Sequence, residues 1–317
     1  MLPTSRVVSV LLMGVGAALF VAGALAPRVI QEDGRLPLDL GELTWTVRDD
    51  AAESMVLADP NRPVVTTPVV RQTHLTLEEP SSEEKVMARV GTTQLRESLQ
   101  EEAERLISAQ VWSYGVDRVT GQGVGSAVLS QQLASPTEEV AAPGVWWKFP
   151  SPVEERGYEA FDETLRGTAP VSFEGVEERE GREVYHFRQV IEPTNVARLY
   201  QGVLNTTDFP EAEEGEDGRG FLFHSATRDY YVDRASGLVV DLREKIDDYY
   251  GTADGTKREQ VLAFDGRLEP QQSEDLLAAA QRVADRPRVG VWSWAGIGLG
   301  VALVALGAIG ALRPGRR

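Results

Sequence analysis

Hydrophobic positions fall along this chain in three patterns. Val7 to Leu25 and Val289 to Leu312 are apolar runs without a charged residue. At about 1.5 Å per residue, each is long enough as a helix to cross a hydrocarbon core of about 30 Å. Between them, short runs of β-branched, aromatic and aliphatic residues alternate with polar ones and are punctuated by Gly, Pro and Asp. Leu43 to Val47, Val64 to Val70, His74 to Leu77, Val86 to Val90 and Val111 to Val116 read as strands. So do Gly144 to Lys148, Val184 to Val190, Gly220 to His224, Tyr230 to Val232 and Leu238 to Leu242. A third pattern has helical spacing. Thr93 to Ala109 places Leu95, Leu99, Ala103 and Leu106 on one face, and Ser273 to Val283 begins at a suitable N-cap.

These elements predict an α+β fold: a mostly antiparallel, β-rich extracytoplasmic domain with a few helices, flanked by N- and C-terminal transmembrane helices. The expected order is a cytoplasmic N-terminus (1–6), a span (7–25), the outer domain (26–288), a second span (289–312) and a cytoplasmic tail (313–317). The orientation follows from Arg6 before the first span and Arg313, Arg316 and Arg317 after the second, because basic flanks stay in the cytoplasm. Trp292 and Trp294 suit the outer interface of the second span. Ala24-Leu25-Ala26 has the small-x-small form of a signal cleavage site. The apolar run is longer than a signal core, however, and Pro27 would follow the cut, so an uncleaved anchor is expected. Gly296 with Gly300, and Gly14 with Ala18, are spaced to let helices approach closely; both residue types are also common in such helices.

Turn chemistry adds an internal repeat. Val116-Asp117-Arg118-Val119-Thr120-Gly121 recurs as Val232-Asp233-Arg234-Ala235-Ser236-Gly237. Asp can accept backbone N–H groups ahead of it and Gly can take positive φ, so both copies read as corners between strands and hint at two related sub-domains. Glu178-Arg179-Glu180-Gly181 predicts a further hairpin. Gly121-x-Gly123-x-Gly125 has no clear helix after it, so it reads as a Gly-rich hairpin and not a phosphate loop.

Composition narrows the chemistry. The chain has no cysteine, which removes disulfides, thiolate metal sites and a Cys nucleophile. All 49 acids and 28 of the 32 bases lie between the spans, so the outer domain carries a net −21, which disfavours nucleic acid as a partner. Glu211 to Gly218 reads as a solvated acidic loop. His74, His186 and His224 have no metal-ligand spacing, and no nucleophile elbow is present. No catalytic, cofactor or metal residue is assigned, and the chain is read as a non-enzyme. The distinctive feature is an aromatic cluster: Trp146, Trp147, Lys148 and Phe149, then Tyr158 and Phe161. Consecutive Trp residues on a strand would face opposite ways. These six are the candidate ligand-binding residues, with Lys148 placed to meet a phosphate, although packing in a core is the plainer role for the rings.

At Trp147-x-Phe149-Pro150, Gly181-x-Glu183-Val184-Tyr185-x-Phe187 and Tyr231-Val232-Asp233-x-x-Ser236-Gly237 the chain resembles an actinobacterial envelope family of uncharacterised two-span membrane proteins, often labelled porin PorA family. The resemblance covers most of the chain and implies an envelope protein at the cytoplasmic membrane. Some relatives are linked to lipoglycan maturation, with an outer domain that holds a lipid. The expectation is therefore an anchored domain that binds or presents an envelope lipid or glycolipid, with envelope biosynthesis proteins as candidate partners. The alternatives are a non-catalytic envelope scaffold and an envelope glycan-acting enzyme. The strand runs lack the repeating ten-residue, lipid-facing alternation of a membrane barrel.

Overall fold

The computed structural model describes residues 4–29, 34–97, 102–131, 136–209, 218–284 and 289–312. The acidic run 211–217 lies outside them. The helices are α1 (Thr4–Val29), α2 (Glu102–Arg105), α3 (Pro270–Ala284) and α4 (Val289–Leu312). The first meander is β1 (Leu43–Met55), β2 (Val64–Ser81), β3 (Lys85–Arg96), β4 (Leu106–Asp117), β5 (Gly123–Ser130) and β6 (Glu138–Ala141). The second is β7 (Tyr158–Asp162), β8 (Gly167–Arg179), β9 (Arg182–Asn195), β10 (Thr206–Asp208), β11 (Arg219–Asp233), β12 (Val239–Gly251) and β13 (Lys257–Leu268). The mostly antiparallel sheet and the two terminal apolar helices agree with the expected fold class.

Helices α1 and α4 belong to one compact unit, and Gly34–Val283 forms another. Val7–Ala26 and Trp292–Leu312 are long and apolar enough to cross a bilayer. The two helices run antiparallel, with small residues where the backbones meet. A Cβ on Gly16 would lie 2.7 Å from the Gly300 carbonyl, one on Gly23 would lie 2.8 Å from that of Ser293, and one on Gly307 would lie 2.7 Å from that of Ser9. Ser293 donates its hydroxyl to the Gly23 carbonyl. Gly300 of the expected pair thus sits in the contact, whereas a Cβ on Gly14 would meet nothing.

In the β unit the described strands form one antiparallel sheet in the order β6-β5-β4-β3-β2-β1-β13-β12-β11-β9-β8-β7, with β10 paired to β11. The β8–β9 turn has Glu180 at φ 51° and Gly181 at φ 74°, the two-residue geometry that suits a twisted hairpin. Several expected strands are fragments of longer ones. Val64 to Val70 and His74 to Leu77 lie within β2, and Gly220 to His224 and Tyr230 to Val232 lie within β11.

The helix expected over Thr93 to Ala109 does not form. Thr93 pairs with Ala109 and Gln94 with Ser108 across β3 and β4, and among the described residues of that stretch only Glu102–Arg105 is helical. The helical spacing of four residues was outweighed by pairing on both sides, because β2 also pairs with β3. Helix α3 forms as expected, beginning earlier at Pro270, where a missing N–H costs nothing. It buries Leu276, Leu277, Ala280 and Val283. Gln272 also docks it on β1 by accepting from the Thr46 amide at 2.6 Å and donating to the Thr46 hydroxyl at 2.8 Å.

Candidate functional site

The segment from Gly144 to Pro150 links β6 to β7 and runs between the two meanders. It is not a regular strand. Val145 bridges to both Gln122 and Ala160, and Lys148 bridges to Leu238. The repeated corners close on it from either side. In the β4–β5 corner, Asp117 accepts from the Val119 and Thr120 amides at 3.0 and 2.7 Å, and Gly121 donates to the Asp117 carbonyl at 2.9 Å. In the β11–β12 corner, Asp233 accepts from the Ser236 amide and hydroxyl at 2.8 and 2.6 Å, and Gly237 donates to the Asp233 carbonyl at 2.8 Å. Both glycines have positive φ, 69° and 74°. A Cβ on Gly121 would lie 2.0 Å from the Lys148 carbonyl oxygen, and one on Gly237 would lie 2.1 Å from that of Phe149. The repeat is therefore a pair of equivalent turns that press on consecutive residues of one segment.

Lys148 is 3% exposed. Its ammonium donates to the carbonyls of Val119 (2.9 Å), Ser236 (2.8 Å) and Phe149 (3.1 Å) and to the Ser151 hydroxyl (2.5 Å). These oxygens come from both corners and from the segment itself, so the side chain ties the three together.

All of the other sequence-chosen residues are buried as well. Trp147 stacks on Trp45 with centroids 4.4 Å apart. Trp146 packs on Tyr114, and on Phe161 at 5.1 Å. Phe149 packs on Phe187 at 5.1 Å and Tyr158 at 5.4 Å. The two Trp rings do not face opposite ways: they lie 5.8 Å apart and stack, because the segment lacks strand alternation. The six residues are brought together and pack on one another and on the core, with Tyr158 also lying under the exposed Arg156 guanidinium at 4.5 Å.

A second buried group was missed in the sequence. Along β2, β11 and β12 the inward positions pass from apolar to charged: Arg71 follows the phase of Thr73 and Leu75, Arg228 and His224 that of Tyr230 and Val232, and Glu244 that of Leu242. The signal was present as charges at core-phase positions. Arg228 bonds Glu244 at 2.7 Å, Asp162 at 2.7 Å and Gln189 at 2.9 Å. Arg71 pairs with Glu163 and lies 3.4 Å from Glu244. Glu163 also accepts from Thr92 at 2.8 Å and Gln110 at 2.9 Å. Burial would raise the carboxyls of Asp162 and Glu244, but the neighbouring guanidiniums outweigh it and hold both below the usual carboxylate range. Burial dominates at Glu163, whose carboxyl is pushed up despite Arg71.

His224 lies in the same group, fully buried, with Nδ1 2.6 Å from Asp248 and Nε2 3.4 Å from Asp162. Burial favours its neutral form, but the two carboxylates override that and raise it to about 9. His186 meets Asp229 at 2.7 Å and stacks on Tyr231. No group of three or more His, Asp or Glu side chains is arranged to hold a metal among the described residues. A shallow groove of about 430 Å³ lies between α3 and the outer faces of β11, β12 and β13, lined in part by Tyr231, Arg243, Arg267 and Glu274. It does not involve the aromatic cluster.

The family described as Porin PorA matches residues 8–309. A protein named Porin PorA from Corynebacterium amycolatum is 24% identical over 243 residues, covering 67% of this chain and 62% of the relative. A second, with the same name, from Corynebacterium resistens is 26% identical over 243 residues, covering 66% of this chain and 58% of the relative. The matched region is thus about three fifths of the relatives' own length. These findings correct the expectation of a lipid-binding or lipid-presenting domain, since the family and both relatives are named as porins. They support an envelope membrane protein, in accord with the resemblance. With a match running from within the first apolar helix almost to the end of the second, and taking in the whole β unit, the chain belongs to the Porin PorA family.

Proposed function

We propose that the protein is a non-enzymatic envelope subunit that supports passage of small hydrophilic solutes, with the channel formed between associated chains. The observation that carries this reading is the family match, which takes in both apolar helices and the β unit together. The packing of the β unit supports a route between chains. Long alternating strands are present, contrary to the sequence-based expectation, but their inward positions are filled by aromatic rings and ion pairs. Their outward positions include Asp241, Arg243, Lys245 and Asp247 on β12 and Arg188 and Glu192 on β9, unlike a lipid-facing band. The net −21 between the spans would concentrate cations at a channel mouth.

The finer placement is a cytoplasmic-membrane protein with the β unit outside and both termini inside, as the flanking arginines indicate. Full-length protein added to planar bilayers under a KCl gradient should give discrete conductance steps and a cation-selective reversal potential. Protein that inserts without conductance would overturn the channel reading. Because the chain lacks cysteine, Arg316→Cys and Glu178→Cys test orientation with an impermeant thiol reagent. Labelling of the first and protection of the second would reverse it.

A further inference from the structure

The group around His224 has a use that neither the fold nor the channel reading accounts for. Buried ion pairs rarely stabilise a fold better than apolar packing, so four carboxylates and three cations in one interior set this region apart. The groups are Arg71 from β2, Asp162 at the end of β7 with Glu163 beside it, His224 and Arg228 from β11, and Glu244 and Asp248 from β12. Tyr230 and Tyr200 also face the group, and burial pushes both phenols up, so they stay neutral. Asp247 beside Asp248 points instead to Lys257, at 2.8 Å.

His224, like Arg228, lies between carboxylates from strands that are not sheet neighbours, and of the two it is the one that can lose its charge. β7 is separated from β11 by β8 and β9, yet Asp162 meets the His224 ring from across the interior, while Asp248 meets it from the adjacent strand. A protonated imidazole has an N–H for each carboxylate. A neutral one has a single N–H and no charge, so its charge attraction to both carboxylates is lost and Asp162 keeps only Arg228 and the Leu165 amide. Asp248 is partly exposed, with 16% of its side chain accessible, which gives solvent a way to the ring.

We propose that His224, held between Asp162 and Asp248, is a pH-operated latch that tightens β7 against β11 and β12 when protonated and loosens that end of the β unit when it loses its proton, leaving Arg228 as the remaining tie from β11 to Asp162. With His224 charged, three cations face four carboxylates. Loss of the imidazole proton leaves additional uncompensated negative charge between β7 and β12, with Asp162 held by Arg228 and the Leu165 amide alone. Because the folded value near 9 lies above the ordinary histidine value, the stabilisation is complete below about 6.5 and disappears as pH rises through about 9. The latch is therefore tight at neutrality and below, and loosens in alkali.

The test uses the full-length protein in detergent micelles with labelled histidine. Only three histidines are present, and His74→Gln and His186→Gln identify the His224 signal by subtraction even if His224→Gln fails to fold. A His224 imidazole that titrates near 9 supports the latch, and one that titrates below about 7.5 overturns it. Between pH 7 and 9.5 the unfolding midpoint should fall by about 5–10 °C, the size expected for a shift of this extent in a domain of this size. Amide exchange, corrected for intrinsic rate, should accelerate around Asp162, His224 and Asp248 and not around Trp112 and Trp146. Uniform acceleration, or none, would also overturn the proposal.

Discussion

Inside the β unit, the same strands build two interiors of opposite character. Towards one end, the inward residues are Leu75, Val90, Trp112, Phe187 and Val232, and Trp146, Trp147 and Phe149 fill the space between the meanders. A few residues along the same strands, the inward positions become Arg71, Thr92, Gln189, Arg228 and Glu244. Burial is similar throughout, but the physics differs. At the aromatic end the stabilisation is non-directional and insensitive to pH. At the ionic end each buried charge depends on a named partner, so a single lost proton or side chain leaves a charge stranded. Two interiors that are equally solid at neutrality should therefore respond differently to pH and mutation.

The largest expected effect sets one end against the other. Arg228→Met should cost about 3–5 kcal/mol, because Glu244 and Asp162 lose their 2.7 Å partner and keep only the more distant Arg71 and His224, each at 3.4 Å. Phe149→Ala should cost a similar amount, about 3–5 kcal/mol, through loss of ring packing. Denaturant titration across pH separates them. The Arg228→Met penalty should shrink in acid, where the stranded carboxylates can protonate, and the Phe149→Ala penalty should stay constant. Equal pH profiles would erase the distinction.

Lys148 is a charge at the aromatic end, and so sharpens the comparison. Lys148→Met should cost about 1–3 kcal/mol, because the Phe149 carbonyl loses the ammonium and the Val119 and Ser236 carbonyls keep only Ser151 as a donor. Chemical denaturation should give that loss without the acid-side relief expected of Arg228→Met, because the orphaned groups do not titrate. The corner glycines come next. Gly237→Ala should cost at least about 2 kcal/mol, since positive φ is compounded by a collision with the Phe149 carbonyl. Gly181→Ala, with positive φ but open space around it, should cost about 1 kcal/mol. Thermal unfolding that ranks these two equally would show that the corners do not bear on the central segment. The smallest effect is at the surface, where Arg243→Gln, facing the exposed Asp265, should change the unfolding free energy by less than about 1 kcal/mol.

The fold was legible where local chemistry decides it. The apolar runs, the Glu180-Gly181 turn and the Asp-to-Gly corners all appear where the residues indicated, because each depends on a few neighbouring side chains. It was illegible where partners from elsewhere decide. Leu95 and Leu106 kept helical spacing but went to strands paired across the sheet. The aromatic cluster was visible as a concentration of rings, but its burial depends on Trp45, Trp112 and Phe187, which come from other strands. His224 was set aside for want of ligand spacing, because its partners Asp162 and Asp248 lie 62 and 24 positions away in the chain.

The clasp around Lys148 also bears on how the chain reaches this structure. Its ammonium joins residues 29 and 88 positions apart, and Trp45, from the first strand, donates its indole N–H to the Val239 carbonyl, 194 positions away. Closing such long loops must precede the contacts that reward it, so a topology of this kind is slow to form. The first meander cannot complete its interior until β12 has been synthesised. For most of its synthesis the chain therefore carries unpaired strand edges and exposed indoles, the condition in which nascent proteins most need protection from aggregation.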